Sequence, residues 1–178
     1  GYGVTSTYTK YLGGEIHHLP LLKENSFLPD LNTIPENILS RSKILYINYP
    51  NNPTGQVASQ EFFQQVVKFA KKNNIAVIHD AAYAAVTFGG YKPLSFLSVD
   101  GAMDVGIEVH SLSKAFNMTG WRMAFVAGNP KFVNAYGTVK DNTDSGQFRA
   151  IQLAGIKALS SLRITEETCE RYSRRFDL

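Results

Sequence analysis

Four short groups of polar residues border apolar runs in this sequence, and their side chains are of types that do chemistry. A lysine amine can form a reversible covalent bond with a carbonyl carbon, and an aspartate can pair with a cation. An arginine can bind phosphate oxygens through two parallel hydrogen bonds, and asparagine or serine can donate further ones. The groups are NPTG at residues 52–55, DAAY at 80–83, SLSK at 111–114 and GWR at 120–122.

Each group also has an ordinary explanation when it is taken alone. Asn-Pro followed by a glycine is usually only a turn, and an aspartate after a strand is more often a helix cap than a catalyst. A lysine such as Lys114 is commonly just exposed, and Arg122, between Trp121 and Met123, fits a surface arginine whose stem covers apolar neighbours. The informative feature is the presence of all four groups, in this order and with this local spacing.

Short apolar runs alternate with longer amphipathic stretches, which predicts an α/β protein. Strands are predicted at residues 15–19, 43–48, 75–79, 105–110 and 123–126. Helices are predicted over residues 59–73 with Ser59 as the N-cap, after Asn129-Pro130, and over residues 148–160. This alternation favours a mostly parallel sheet, in which ligands bind at the carboxyl ends of the strands. We therefore expect the polar groups, which follow different strands, to meet at one edge of the sheet.

The composition is that of an ordinary globular domain and speaks against several other classes of protein. The 178 residues are enough for one sizeable core, and 44% of them are hydrophobic. The net charge of +3 is spread along the chain, so no basic patch for a nucleic acid is visible. No apolar run is long enough to cross a bilayer, and the two common glycine-rich nucleotide-binding motifs are missing from the sequence.

The cysteine content and the two ends of the chain add two expectations. The single cysteine, Cys169, cannot form an internal disulfide, and no cysteine-histidine pattern indicates a metal site. A reduced, cytoplasmic setting fits this best. The chain begins at Gly1 without a methionine and ends within a charged, helix-like stretch. We therefore expect it to be a fragment of a longer protein.

Three segments of this sequence resemble the fold-type I, pyridoxal-phosphate (PLP)-dependent aminotransferases of the class I/II group. They are NYPNNPTG at residues 48–55, HDAAY at 79–83 and SLSKAFNMTGWRMAFVAGN at 111–129. The resemblance covers nearly the whole chain, and residues 20–31 and 140–148 look most like the LL-diaminopimelate and aspartate aminotransferase-like branch. The fold that it implies is a three-layer αβα sandwich with a mostly parallel sheet. Residues 1–178 would form most of the PLP-binding large domain, without its N-terminal segment and without the C-terminal small domain.

The resemblance implies a role for each polar group that was singled out above. Lys114 would hold PLP as a Schiff base and would move a proton between the substrate Cα and the cofactor. Asp80 would pair with the protonated ring nitrogen, while Asn52 and Tyr83 would donate to the phenolic oxygen. The catalytic residues would thus be Lys114, Asp80 and Tyr83, and Asn52 would also adjoin the substrate.

The phosphate, the ring face and the substrate have further candidates. Arg122, together with the hydroxyls of Ser111 and Ser113, would bind the phosphate. Tyr2 matches the aromatic residue on which the ring stacks. Asn142 matches a residue that reaches towards substrate in the neighbouring subunit, and a cap within a helix or loop is an equally good explanation of it.

The implied function is transfer of an amino group between an amino acid and a 2-oxo acid in a homodimer with shared active sites. Two alternatives stay open: a PLP-dependent C–S β-lyase on the same fold, and a catalytically inert PLP-fold fragment. The sequence offers no match for the arginine that grips the substrate carboxylate in this family. We therefore expect the parent protein to be active and the isolated chain to be inactive.

Overall fold

The computed structural model describes residues 3–177, and a four-stranded sheet forms its centre. The strands are β1 (Ile44–Asn48), β2 (Ala76–Asp80), β3 (Gly106–Ser111) and β4 (Ala124–Gly128). They lie side by side in the order β1-β2-β3-β4. The first three run parallel, whereas β4 runs antiparallel to β3. This arrangement confirms the predicted α/β class with a mostly parallel sheet.

Helices precede, join and follow the strands. They are α1 (Val4–Tyr11), α2 (Glu36–Leu39), α3 (Gln60–Asn73), α4 (Ala102–Val105), α5 (Leu112–Ala115), α6 (Pro130–Thr143), α7 (Arg149–Leu159) and α8 (Arg163–Phe176). Short 3₁₀ turns lie at Lys23–Asn25, Leu31–Thr33, Phe96–Ser98 and Thr119–Trp121. The three helices predicted from the sequence are α3, α6 and α7, and all three are confirmed.

Helix α3 covers one face of the sheet and forms the larger core with it. The Ser59 hydroxyl accepts a hydrogen bond from the Phe62 N–H at 3.1 Å, as expected for an N-cap. Apolar residues at helical spacing then turn one stripe of α3 inward, and Phe63 and Val66 are almost fully buried. This stripe packs on alternate strand residues such as Val77. The opposite face of β1 and β2 keeps partly exposed side chains, among them Tyr46 and Asp80.

A second, smaller core holds the turn that carries Lys114. Leu112 and Ala115, on either side of the lysine, are buried against Met123 and the α7 residue Ala154. Helix α8 also contacts this turn, since the Thr165 hydroxyl donates to the Ala115 carbonyl at 2.9 Å. The backbone that presents the lysine is therefore fixed from two helices.

Two expectations from the sequence need correction. The strand expected at residues 15–19 is wrong: residues 14–22 have no regular structure, and no strand of the sheet pairs with them. The alternation of polar and apolar residues suits a strand there, but a strand also needs a partner edge. Arg122 does not follow a strand, because it lies two residues before β4 begins. It reaches the predicted edge of the sheet only because β4 runs backwards.

Candidate active site

The register of the sheet brings the ends of all four strands to one edge. Asn48, the last residue of β1, pairs with Asp80, the last residue of β2. Asp80 pairs in turn with Val109 near the end of β3. Since β4 is antiparallel, its first residue, Ala124, pairs with Ser111 at the end of β3. The segments that carry Asn52, Tyr83, Lys114 and Arg122 all leave or enter the sheet at this edge, as the sequence predicted.

Asp80 is the half-buried carboxylate of this edge, and both of its oxygens are held. Oδ1 accepts a hydrogen bond from the Ala82 N–H at 3.1 Å, which closes the turn after β2. Oδ2 accepts one from the hydroxyl of Tyr46 at 2.5 Å. The Asp80 carbonyl accepts from the Asn48 side chain at 3.0 Å. The carboxylate is thus set in one orientation by its own turn and by the neighbouring strand.

Tyr46 was not singled out from the sequence, yet it touches the central carboxylate. Burial raises its pKa above the ordinary value, and the hydrogen bond and charge of Asp80 raise that pKa further. The phenol therefore stays protonated and acts as a donor. The register supplies the signal that was missed: Asn48 pairs with Asp80, and Tyr46 lies two residues before Asn48 on the same face.

Asn52 and Tyr83 meet above the ends of β1 and β2. The Nδ2 atom of Asn52 lies 3.5 Å from the Tyr83 hydroxyl, at the outer limit of a hydrogen bond. The Asn52 backbone N–H donates to the Asn48 side chain at 2.9 Å, which fixes the start of the NPTG loop. Tyr83 lies in the turn after Asp80, where its carbonyl accepts from Val86 at 3.0 Å. The Asn52 amide and the Tyr83 hydroxyl, which follow β1 and β2, are thereby placed side by side as hydrogen-bond donors.

Lys114 is the third residue of α5, and its exposed side chain turns towards Tyr83. The Nζ atom lies 5.8 Å from the centre of the Tyr83 ring, within the range of a cation–π contact. The Ser111 hydroxyl caps α5 by accepting from the Ser113 N–H at 3.1 Å. Lysine, tyrosine and asparagine thus form a continuous row of contacts along the edge.

Arg122 occupies a left-handed backbone position with φ 54°, which costs an ordinary residue about 1 kcal/mol. One guanidinium N–H donates to the Thr119 carbonyl at 3.0 Å. The Gln147 side chain donates to the Arg122 carbonyl at 2.6 Å and so ties the segment before α7 to it. A left-handed backbone position of this kind is often found at functional residues.

Three further candidates stand apart from this cluster. Asn142 lies in the last turn of α6, where its side chain donates to the Thr138 carbonyl at 2.8 Å. That contact agrees with the alternative explanation as a cap, and the role towards substrate stays a prediction. Ser113 is partly buried in α5, and Tyr2 lies outside the described residues.

A buried polar network under the site was also missed from the sequence. The Glu108 carboxylate accepts from the Phe96 N–H at 2.6 Å and from the Ser95 hydroxyl at 2.8 Å. It also lies 2.9 Å from His79 and 3.0 Å from His110. Burial alone raises the pKa of Glu108, but the hydrogen bonds from His110, His79 and Ser95 together hold it well below its ordinary value.

The polar groups at this edge suit the chemical groups of the PLP that the resemblance implies. A lysine amine suits its aldehyde, and a fixed carboxylate suits its ring nitrogen. The amide and phenol pair of Asn52 and Tyr83 suits its phenolic oxygen, while Arg122 with Ser111 suits its phosphate. Within residues 3–177 there is no group of three His, Cys, Asp or Glu side chains arranged to hold a metal ion. None of the helices in that range is long and apolar enough to span a membrane.

Known proteins resemble this chain over nearly its whole length. The chain is 59% identical to the LL-diaminopimelate aminotransferase of Methanocaldococcus jannaschii over 175 residues, which are 98% of this chain and 42% of that protein. It is 54% identical to the enzyme of the same name from Dehalococcoides mccartyi over 177 residues, 99% of this chain and 46% of that protein. The chain therefore spans less than half the length of these curated relatives.

Solved structures give the same answer for the fold. The structure of BacF from Bacillus subtilis superimposes with a TM-score of 0.94 at 41% identity, over 99% of this chain and 45% of that one. This likeness confirms the three-layer α/β class expected from the sequence. The family model for aminotransferase class I and II matches residues 1–177. The chain belongs to the class I and II aminotransferase family.

Proposed function

We propose that the full-length protein is a PLP-dependent aminotransferase that transfers an amino group between an amino acid and a 2-oxo acid. The observation that carries this proposal is the meeting of Asp80, Tyr83 and Lys114 at one edge of the sheet. Membership of the class I and II family supports it. We propose that residues 1–178 contribute most of a PLP-binding large domain, since they match less than half of each relative.

In this proposal each polar group of the edge binds one part of the cofactor. Lys114 holds PLP covalently, Asp80 pairs with the ring nitrogen, and Asn52 with Tyr83 donates to the phenolic oxygen. The phosphate is bound by a cation and two hydroxyls, from Arg122, Ser111 and Ser113, and Tyr2 stacks on the ring. When bound, PLP supplies a carbonyl carbon that reacts with amines and a ring that withdraws electrons from the substrate Cα.

The protein's own side chains then carry the proton steps. The Lys114 amine would accept the proton of the substrate Cα and later donate it, acting first as general base and then as general acid. Its position beside the Tyr83 ring keeps it over the same edge during both transfers. Asp80 would orient the ring nitrogen, since both carboxylate oxygens are already held by donors.

We infer that the amino substrate is LL-diaminopimelate, because relatives that are 59% and 54% identical carry that name. The test is an assay of the full-length protein with LL-diaminopimelate and a 2-oxo acid acceptor. Turnover that requires the oxo acid and forms the acceptor's amino acid is expected. Release of thiol and pyruvate from a sulfur amino acid, without need for an oxo acid, would instead establish the C–S β-lyase.

The cofactor assignment has its own test, which does not depend on turnover. Wild-type protein with added PLP is expected to give a visible absorbance band that borohydride converts into a stable adduct at Lys114. Lys114→Ala is expected to lack the adduct, and Lys131→Ala, which removes another exposed lysine, to keep it. A full-length protein without the band, or an adduct on another lysine, would overturn the assignment.

Two wider proposals depend on the family resemblance. A homodimer is supported by the shared active sites of the family, and Asn142 would then reach the partner's substrate. Light scattering on the full-length protein checks it, since a monomeric mass at working concentration would exclude a shared site. A cytoplasmic setting is supported by the single cysteine, Cys169.

A further inference from the structure

We propose that Tyr46 is a positioning residue that fixes the orientation of the Asp80 carboxylate towards the ring nitrogen of the cofactor. This inference rests on the proposed function, since it assumes that a cofactor ring lies against Asp80. Tyr46 lies outside the three segments that carry the family resemblance.

The contact between the two side chains is short and directional. The Tyr46 hydroxyl lies 2.5 Å from Oδ2 of Asp80, within the range of an O–H donor bonded to a charged carboxylate. The second oxygen is held separately by the Ala82 N–H at 3.1 Å. With one donor on each oxygen, rotation of the carboxyl group about its Cβ–Cγ bond would break both bonds. The remaining lone pairs of Asp80 therefore point in a fixed direction.

The sheet explains why a tyrosine at this position reaches the aspartate. Tyr46 pairs with Ile78, two residues before Asp80 on the adjacent strand. Side chains two residues apart along a strand lie on the same face, and a diagonal neighbour on the next strand is within reach of a long side chain. A phenol is long enough to cover that diagonal, whereas a shorter hydroxyl side chain is not. Both residues lie on the face opposite α3.

The environment of Tyr46 keeps it a donor. Burial raises its pKa, and the neighbouring Asp80 raises it further, so the hydroxyl does not lose its proton in the physiological range. A hydrogen bond to the charged form of a carboxylate favours that form. Tyr46 therefore stays a hydrogen-bond donor to Asp80. Its removal would leave Oδ2 half-buried without this donor.

Tyr49 offers a matched control three residues along the chain. Its hydroxyl donates to the Phe27 carbonyl at 2.8 Å, and its side chain is buried. Burial raises its pKa as well. Tyr49 therefore resembles Tyr46 in size and protonation and is more deeply buried, but its hydroxyl binds a backbone carbonyl instead of Asp80. Loss of either hydroxyl removes one partly buried hydrogen bond.

The experiment compares Tyr46→Phe and Tyr49→Phe in the full-length protein. Three readouts are taken: the dissociation constant of PLP, the melting temperature without PLP, and the ¹⁵N chemical shift of labelled PLP at its ring nitrogen. Tyr46→Phe is expected to bind PLP on the order of tenfold more weakly, since one hydrogen bond to a charged group is lost. The ¹⁵N shift is expected to move towards that of an unprotonated ring. Tyr49→Phe is expected to leave both cofactor readouts unchanged.

The outcomes separate the inference from the proposed function. Wild-type protein that does not bind PLP would overturn the proposed function and the inference with it. Wild-type binding with an unchanged affinity and ¹⁵N shift in Tyr46→Phe would overturn the inference alone. If Tyr46→Phe fails to fold, fluorotyrosines of increasing acidity at position 46 decide the question. A ¹⁵N shift that changes stepwise with phenol acidity supports the inference, and a constant one overturns it.

Discussion

The Nδ1 atom of His79 lies 2.9 Å from the Glu108 carboxylate, with both side chains almost completely buried. The Nε2 atom of the same ring lies 2.9 Å from the Tyr49 carbonyl. The Glu108 carboxylate and the Tyr49 carbonyl are both hydrogen-bond acceptors, so the His79 ring lies between two acceptor groups. This single side chain connects β2, β3 and the segment that leads to Asn52, directly beneath Asp80.

Removal of the Glu108 charge is expected to destabilise the fold strongly. Glu108→Gln removes the buried charge that accepts from Ser95 and the Phe96 N–H and contacts His79, and breaking such a buried pair from one side costs about 3–5 kcal/mol. Urea unfolding of the full-length protein measures the change. Glu15→Gln is the matched control, because its pair with Arg41 at 2.7 Å is exposed and is expected to contribute less than about 1 kcal/mol. Equal effects of the two changes would contradict the buried pair.

The lowered pKa of Glu108 predicts a loss of folding stability in acid. The folded protein holds the pKa of Glu108 well below its ordinary value of 4.5. The unfolded chain therefore takes up this proton first as the pH falls, and the contribution to stability is complete above pH 4.5 and decreases below it. Unfolding free energies from pH 7 to pH 3 check this. In Glu108→Gln the decrease below that pH is expected to be shallower, and an unchanged slope would contradict the assignment.

The role proposed for Arg122 predicts a loss of cofactor affinity that requires the phosphate group of the cofactor. Arg122→Ala is expected to weaken PLP binding by roughly 10- to 100-fold, as for a charged hydrogen bond worth about 1.5–3 kcal/mol. Binding of pyridoxal, which has no phosphate, is expected to change little. Titration of the wild type, the variant and Arg149→Ala, an exposed arginine of α7, with both compounds measures the difference. A variant that weakens pyridoxal equally would argue against phosphate binding by Arg122.

Two helical glycines are expected to respond differently to alanine. A Cβ on Gly155 of α7 would lie 2.9 Å from the Met123 methyl group and 3.5 Å from Leu112. The Met123 methyl group is the end of a flexible side chain and can move, so we expect the usual helical gain from alanine to be offset, with a net change within about 1 kcal/mol. Gly137 of α6 has open space around the same position, and Gly137→Ala is expected to stabilise by about 0.5–1 kcal/mol. Thermal unfolding measures both, and an equal gain in the two variants would show that Met123 does not resist the added methyl group.

Local patterns predicted most of the elements, and the register explains the remainder. Strands β1 and β2 and helix α3 could be predicted because the spacing of their apolar residues matches the residues that are buried in the structure. The run at residues 15–19 has the same local pattern, but its pairing depends on a partner edge that no local window contains. The family and the fold class, predicted from three segments, are confirmed.

The sequence predicted the main residues of the site but not the buried or partly buried residues that hold them in place. Asn52, Asp80 and Lys114 were found because they follow strands that end at one edge, and their chemical roles remain predictions. Tyr46 and Glu108 were missed because each lies within an apolar run, where a polar side chain is informative only once its cross-strand neighbour is known. Knowledge that Asn48 pairs with Asp80 would have pointed to Tyr46.

The antiparallel return of β4 makes residues 112–123 a closed connection whose two ends are joined by the Ser111–Ala124 pair. Lys114 and Arg122 lie near opposite ends of this connection, so its length sets their separation. Exchange of the whole connection between relatives preserves that separation, whereas insertion or deletion of one residue inside it changes it. New chain termini made by circular permutation are better placed elsewhere on the surface. For protein engineering, residues 112–123 are therefore best exchanged as one segment of unchanged length.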